Sequence, residues 1–326
     1  MRQPACSPIT TPPRATSTHA RRSNTGWCRA SSIDRGGRPA AVSLTESDRT
    51  AIAAASGSAV ADVRRFASGN TTQLSLLTLA DGTKLVAKQG PPGSNLGLEG
   101  AMLGHLHGEG WPVPAPLLAR DDLLVMTHMP GGGGVTAAAQ AEAAEILAPL
   151  HAVPRDGYGF AFDTLIGPLH QPNPPADDWV AFFRDHRLLH MARAALDEGA
   201  LDAGLMARID RLAERLDELI GTPAPPSLIH GDLWGGNVMA EAGRIAGFID
   251  PAIYHADAEI ELAFTTLFST FGEPFFRRYH EIRPIRDGFF ELRRDLYNLY
   301  PLLVHVRLFG GGYVGSVAAI VRRLVG

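Results

Sequence analysis

The chain has 326 residues, with 30 basic and 34 acidic side chains giving a formal net charge of −4. That length suits two compact units around separate cores, while the mild negative charge and the lack of a basic stripe exclude the footprint of a nucleic-acid binder. The two cysteines, Cys6 and Cys28, both fall in the N-terminal segment, which argues against a disulfide framework or a zinc site, and no apolar run approaches the roughly 18 residues of a membrane span. The composition leads us to expect a soluble, cytoplasmic protein.

Residues 1–42 are rich in Arg, Ser, Thr, Pro and Ala, contain Asp34 as their only acid and show no apolar periodicity, so they are expected to form a disordered extension. An organelle transit segment or a start codon set too far upstream fits this composition as well, and the sequence leaves the choice open. Thr45, with Asp48 three residues on, opens the first helix of the folded part.

An N-terminal lobe is expected over 43–130. Residues 60–67, 73–80 and 84–88 read as three antiparallel strands, the last two joined by Asp81-Gly82, a favoured hairpin dipeptide. In the connection after the first strand, Ser68, Gly69 and Asn70 occupy the position of a phosphate loop, although its single glycine is explained about as well by a plain hairpin. Lys88 ends the third strand. It and Lys84 are the only lysines in the chain, so a compact cation is kept where it would be useful against phosphate. Glu99 follows within a helical pattern over 95–107 and is placed to pair with Lys88. Residues 123–126 form a further strand. Backbone groups of Thr127, His128 and Met129 in the glycine-rich connection after it are candidates for an adenine edge.

A mostly helical C-terminal lobe is expected over 131–326, with helices at 137–151, 179–196, 202–220, 257–271 and 288–309 and a strand at 244–249. Within it lies the most informative stretch, His230-Gly231-Asp232-Leu233-Trp234-Gly235-Gly236-Asn237, followed by Ile249-Asp250-Pro251. Phosphoryl transfer asks little covalent chemistry of a protein. It needs a carboxylate to orient the attacking hydroxyl, and oxygen ligands for the metal that bridges the nucleotide phosphates. Asp232 suits the first role, and Asn237 and Asp250 suit the second as hard ligands for Mg2+. Gly235 and Gly236 are expected to give the loop its backbone freedom, and His230 to brace it by hydrogen bonding.

Taken together, this loop, Asp250-Pro251-Ala252-Ile253-Tyr254, Glu259 with Leu262-Ala263, and Leu296-Tyr297-Asn298-Leu299-Tyr300 with His305 and Tyr313 resemble the fructosamine (ketosamine) 3-kinase family. Ile166-Gly167 with Gln171 and Asn173 also fits, as does Trp179 with Phe182-Phe183, so the resemblance runs from about Thr45 onward. It implies an α+β, bilobal, protein-kinase-like fold related to aminoglycoside phosphotransferases, with a small antiparallel-sheet N-lobe and a helical C-lobe. The implied activity is ATP- and magnesium-dependent phosphorylation of the sugar O3 of a ketosamine, a deglycation step on a small-molecule or protein-bound glycated amine. Carried over by position, Asp232 is the base, Asn237 and Asp250 the metal ligands, Lys88 the phosphate ligand and Glu99 its partner. Trp234 and Tyr313 are candidate walls of the sugar site. The chain departs from the family pattern at Tyr254-His255-Ala256-Asp257-Ala258-Glu259, and at Glu261, where Asp is common. Two alternatives are an aminoglycoside or amino-alcohol phosphotransferase and a non-catalytic nucleotide-binding module.

Overall fold

The computed structural model describes residues 44–68 and 72–325. The extension at 1–42 and Gly69 and Asn70 of the candidate phosphate loop lie outside the described residues, and of Ser68 only the backbone is described.

Helix α1 (Glu46–Ser56) begins with a capping box: the Thr45 hydroxyl accepts from the Asp48 N–H, and the Asp48 carboxylate accepts from the Thr45 N–H. Asp48 is buried and pairs with Arg120, which ties α1 to the sheet. That sheet is five-stranded and antiparallel: β1 (Val60–Ser68), β2 (Gln73–Leu79), β3 (Lys84–Gln89), β4 (Pro116–Ala119) and β5 (Leu123–Thr127), in the order β1-β2-β3-β5-β4. The Asp81-Gly82 turn forms as expected, with Gly82 at φ 85 and the Thr83 N–H donating to Asp81 Oδ1. Short, half-buried β4 is an addition, because four residues beginning with a proline carry almost no periodic signal. Helix α2 (Leu96–Gly108) buries Leu96, Met102, Leu103 and Leu106. Its C-terminal end rests on the second lobe, where Arg155 forks onto Glu109 at 3.1 and 2.8 Å and the His105 ring meets the edge of Phe160.

In the second lobe α3 (Ala137–His151) has the bounds expected of it. A small hairpin, β6 (Thr164–Ile166) with β7 (Leu169–Gln171), follows. The helix expected at 179–196 is α4 (Trp179–Phe183) and α5 (Leu189–Asp197) joined by a π turn at Arg184–Leu188, which turns Arg187 into the core. The one expected at 202–220 is two, α6 (Ala203–Ala213) and α7 (Leu216–Ile220), because the chain breaks at Arg215 and so buries Leu212 and Leu216 together. Short strands β8 (Ser227–Ile229), β9 (Val238–Glu241), β10 (Arg244–Phe248) and β11 (Tyr254–Ala256) frame the polar loops, with β8 paired to β11 and β9 to β10. The helix expected at 257–271 is the shorter α8 (Glu259–Leu267): the Asp257 carboxylate accepts the Glu259 N–H before it, and Ser269 at φ 55 lies just past its end. Helix α9 (Glu273–Ile282) and the final α11 (Gly312–Val325) are additions, and α10 (Arg294–Phe309) is preceded by a π turn at Phe289–Arg293 where one continuous helix was expected.

Candidate active site

Strand β8 delivers the chain to His230, and the turn that follows is possible only because residue 231 is glycine. Its φ is 82, and a Cβ there would lie 2.0 Å from the Ala252 carbonyl oxygen. The backbone freedom expected of Gly235 and Gly236 is thus located at Gly231. Neither of the pair has a positive φ, and Gly236 is needed for space, since a Cβ would sit 2.3 Å from the Trp234 ring. Asp232 is buried, and its N–H donates to His230 Nδ1 at 3.3 Å. Burial holds the His230 imidazole below its ordinary value, which keeps it neutral and suits a brace.

Asn237 closes the loop by donating from Nδ2 to the Asp232 backbone carbonyl and to Asp232 Oδ2, both at 2.8 Å. The β9–β10 hairpin then returns the chain, the Ile249 N–H donating to the Asn237 carbonyl at 3.0 Å, so Asp250 arrives beside Asn237. Asp250 holds a left-handed φ of 54 and a half-exposed carboxylate. Strain of this kind in a non-glycine residue collects at functional sites.

From the other lobe, Lys88 on β3 places Nζ 3.0 and 2.7 Å from the two Glu99 oxygens and 3.4 Å from Asp250 Oδ1. Burial works against the Lys88 charge, but the carboxylates of Asp250 and Glu99 outweigh it and hold the ammonium well above its ordinary range. The reverse applies at Asp232. Burial pushes its carboxyl well up, assisted by the Asp250 and Glu261 charges and opposed by the Asn237 and Trp234 side chains. A buried carboxylate with raised proton affinity, next to the Asn237 amide, the Asp250 carboxylate and a fixed cation, is chemically suited to accept a proton from a neighbouring hydroxyl.

The structure sharpens two other expectations. The N–H groups of Thr127 and His128 donate to the carbonyls of Ala115 and Lys84, whereas the Met129 N–H has no protein acceptor among the described residues. Trp234 and Tyr313 belong to one aromatic band without pairing directly. Phe268 lies between, 5.9 Å from Trp234, followed by His305 at 5.0 Å and Tyr313 at 4.9 Å.

Sequence reasoning missed what holds the Gly231 turn. Glu261 on α8 is fully buried. One carboxylate oxygen accepts the Gly231 N–H at 2.7 Å, and the other meets His151 Nε2 at 2.9 Å, whose Nδ1 lies 2.8 Å from the Tyr279 hydroxyl. The signal available was Glu261 itself, the acid that stands directly before the apolar Leu262-Ala263-Phe264 run of α8.

The family model for fructosamine kinase matches residues 109–326. The chain belongs to the fructosamine kinase family. Over 157 residues, 48% of this chain and 52% of the relative, it is 40% identical to a Synechocystis protein named "Probable ketoamine kinase". Over 178 residues, 54% of this chain and 51% of the relative, it is 36% identical to the "Protein-ribulosamine 3-kinase, chloroplastic" of Oryza sativa subsp. japonica. The chain thus spans about half the length of these curated relatives. Among solved structures it is similar to a "putative fructosamine-3-kinase" from Thermobifida fusca, with a TM-score of 0.75 and 32% identity over 86% of this chain and 99% of that one. Aminoglycoside phosphotransferase APH(4)-Ia superposes at a TM-score of 0.58 and 18% identity over 85% of this chain and 99% of that one, a likeness of fold alone. The family member therefore has the α+β protein-kinase-like architecture that its sequence implied.

Proposed function

We propose that this chain is an ATP-dependent kinase that phosphorylates the O3 hydroxyl of a ketosamine sugar, a fructosamine or ribulosamine carried on a small or protein-bound amine. The observation that carries the reading is the meeting of Lys88, already paired with Glu99, with Asp250 across the two lobes, beside a buried Asp232 fixed by Asn237.

The donor chemistry fits magnesium. Asn237 Nδ2 is occupied by Asp232, which leaves the amide oxygen as a neutral ligand beside the Asp250 carboxylate. Among the described residues no group of three or more His, Cys, Asp or Glu could hold a metal unaided. A magnesium ion held by one or two protein groups and completed by nucleotide phosphates and water matches that set. When bound, Mg·ATP supplies the transferable phosphoryl group with its charge partly neutralised. Lys88 then orients the phosphates as a point charge, with Glu99 fixing its Nζ. Asp232 orients the sugar hydroxyl and receives its proton as transfer proceeds. The Met129 N–H and the hinge carbonyls meet the adenine edge, and Ser68, Gly69 and Asn70 remain candidates for the phosphate side. The aromatic band from Trp234 through Phe268 and His305 to Tyr313 lines the approach for the sugar and its amine. The relatives' names support a glycated amine as partner, and a cytoplasmic location agrees with the finding that no helix among the described residues is long and apolar enough to cross a membrane.

The test is magnesium-dependent ADP release from ATP with ribulose-lysine, fructose-lysine, an aminoglycoside or no acceptor, with Asp232→Asn as the blank. Release that requires a ketosamine and disappears in the variant supports the proposal. Release only with the aminoglycoside overturns the substrate assignment, and full turnover in Asp232→Asn overturns the role of that carboxylate.

A further inference from the structure

Several residues that give this sequence its family character take no part in the chemistry above: Gln171 and Asn173 after the Ile166-Gly167 pair and Tyr300 at the end of Leu296-Tyr297-Asn298-Leu299-Tyr300; the same holds for Arg187, which the π turn directs inward. All are buried, as is Thr164, and they converge on one place.

That place is the backbone just after Asp250. Residues 251–253 belong to no strand, although Ala252 and Ile253 are fully buried, so their carbonyls must find partners outside a β ladder. Gln171 Nε2 donates to the Ala252 carbonyl at 3.0 Å, and the Thr164 hydroxyl donates to the Ile253 carbonyl at 3.2 Å. Gln171 is fixed in turn by the Tyr300 hydroxyl, which donates to its Oε1 at 2.5 Å, and Thr164 accepts from Gln171 Nε2 at 2.7 Å and from Asn173 Nδ2 at 2.8 Å. Arg187 holds the far side. Its guanidinium donates to Asn173 Oδ1 at 2.5 Å and to the Pro172 carbonyl at 2.7 Å, and it lies 3.8 Å from the Tyr254 ring centroid and 5.5 Å from that of Tyr300. The supported backbone touches both candidate loops. Asp250 is two residues before Ala252, the Ala252 N–H donates to the His230 carbonyl at 2.8 Å, and the Ala252 carbonyl faces the Gly231 α-carbon so closely that no Cβ fits between them.

We propose that Tyr300, Gln171, Thr164, Asn173 and Arg187 form a polar buttress whose function is to hold the Asp250 and Gly231–Asp232 segments in register for binding metal-bound nucleotide. They are positioning residues, since none is placed against the reacting groups. The inference rests on the kinase reading above. A network in which each member satisfies the next transmits the loss of one bond to the backbone it supports.

Tyr300→Phe is the mildest probe, because it keeps the ring beside Arg187 and deletes only the hydroxyl. Tyr297→Phe is the matched control. It also removes a buried hydroxyl from α10, but one bonded to Asp257 and Trp179, away from the two loops. Binding of a non-hydrolysable ATP analogue is measured by calorimetry with and without magnesium, together with the melting temperature. The expected result is that Tyr300→Phe reduces the magnesium-dependent gain in affinity about five-fold, the equivalent of one hydrogen bond, and leaves metal-free binding unchanged. Tyr297→Phe is expected to lower the melting temperature similarly without altering that gain. Gln171→Leu, which removes both bonds at once, should exceed Tyr300→Phe. Equal magnesium-dependent gains in Tyr300→Phe, Gln171→Leu and wild type overturn the buttress while leaving the kinase proposal standing. A wild-type protein with no magnesium-dependent gain overturns both.

Discussion

Replacing Glu261 by alanine tests whether the Gly231 turn is held from below. The substitution removes an acceptor from the Gly231 N–H and from His151 Nε2 at a site with no solvent exposure. Breaking a buried charged interaction by deleting one partner costs about 3–5 kcal/mol, most of it from the polar groups left unpaired. At roughly 2–4 °C per kcal/mol for a domain somewhat smaller than this one, the melting temperature should fall by roughly 6–20 °C. Turnover should fall further than stability explains, because Gly231 immediately precedes Asp232 and a displacement of about 1 Å at a reacting group can cost around 100-fold in rate. Glu261→Gln separates geometry from charge. Its amide oxygen can still accept from Gly231, and its amide nitrogen can donate to His151 if that imidazole carries its proton on Nδ1, so it should lose only about 1 kcal/mol. Scanning calorimetry and ADP release on the same preparations read both quantities. If Glu261→Ala melts within about 2 °C of wild type and turns over normally, the turn is held by other contacts and the reasoning fails.

Asp232→Asn is expected to lower turnover by about 10²–10⁴-fold with nucleotide affinity nearly unchanged, measured by ADP release and calorimetry. It should also remove a pH dependence of stability. Burial raises the Asp232 carboxyl above its ordinary 3.8, so the native state binds the additional proton between that value and the raised one, and wild type loses stability as pH rises through this window. The stability advantage of Asp232→Asn should therefore grow with pH there and vanish below it, which melts across a pH series will read. Lys88→Met leaves Glu99 buried without its cation and should weaken nucleotide binding and destabilise by about 3 kcal/mol, while Lys88→Arg should not restore binding in so enclosed a site; a nucleotide titration that finds the arginine variant equal to wild type contradicts this. Gly231→Ala should prevent folding or abolish activity, because its Cβ would meet the Ala252 carbonyl at 2.0 Å, whereas Gly235→Ala, with its nearest neighbour 3.9 Å away, should express and melt like wild type.

The features legible in the sequence were those fixed by neighbouring residues. The Thr45–Asp48 capping box, the Asp81-Gly82 hairpin and helix α3 each follow from groups within a few positions of one another. The Lys88–Glu99 pair was readable despite its separation because a strand lysine followed by a helix-borne glutamate is the arrangement of a kinase phosphate site. What escaped depends on contacts made across the chain. Gly231 could not be separated from Gly235 and Gly236 until Ala252, on a distant segment, was seen to cross its α-carbon. Glu261 reads locally as an ordinary helix acid, and its meaning comes from Gly231 and His151. The two π turns insert a residue without disturbing the apolar count, so periodicity registers continuous helices where the structure rotates Arg187 and Arg293 inward. Helix α9 was missed because Pro274, a good first-turn residue, sits among glycine and acid that read as loop.

The fold accommodates aminoglycoside phosphotransferases as well, so discrimination must come from the rim of the cleft. A polycationic aminoglycoside needs carboxylates free to meet several ammonium groups. Several of the acids in the helical lobe are engaged: Asp178 accepts the N–H groups that begin α4, Asp185 is paired with Arg184, Glu198 with Arg307, and Asp163 accepts from His170 and the Asn173 N–H, while the exposed Asp177 and Asp197 stand at opposite ends of the α4–α5 segment rather than as one cluster. Beside Asp232 stands Trp234, from which the aromatic band runs through Phe268 and the buried His305 to Tyr313. Rings of this kind bury the carbon face of a sugar, while the hydroxyls at its edge remain available to a carboxylate. Under the proposed function, such a rim would favour a single neutral sugar on one amine over a polycation, which would lose its hydration there for little compensating charge.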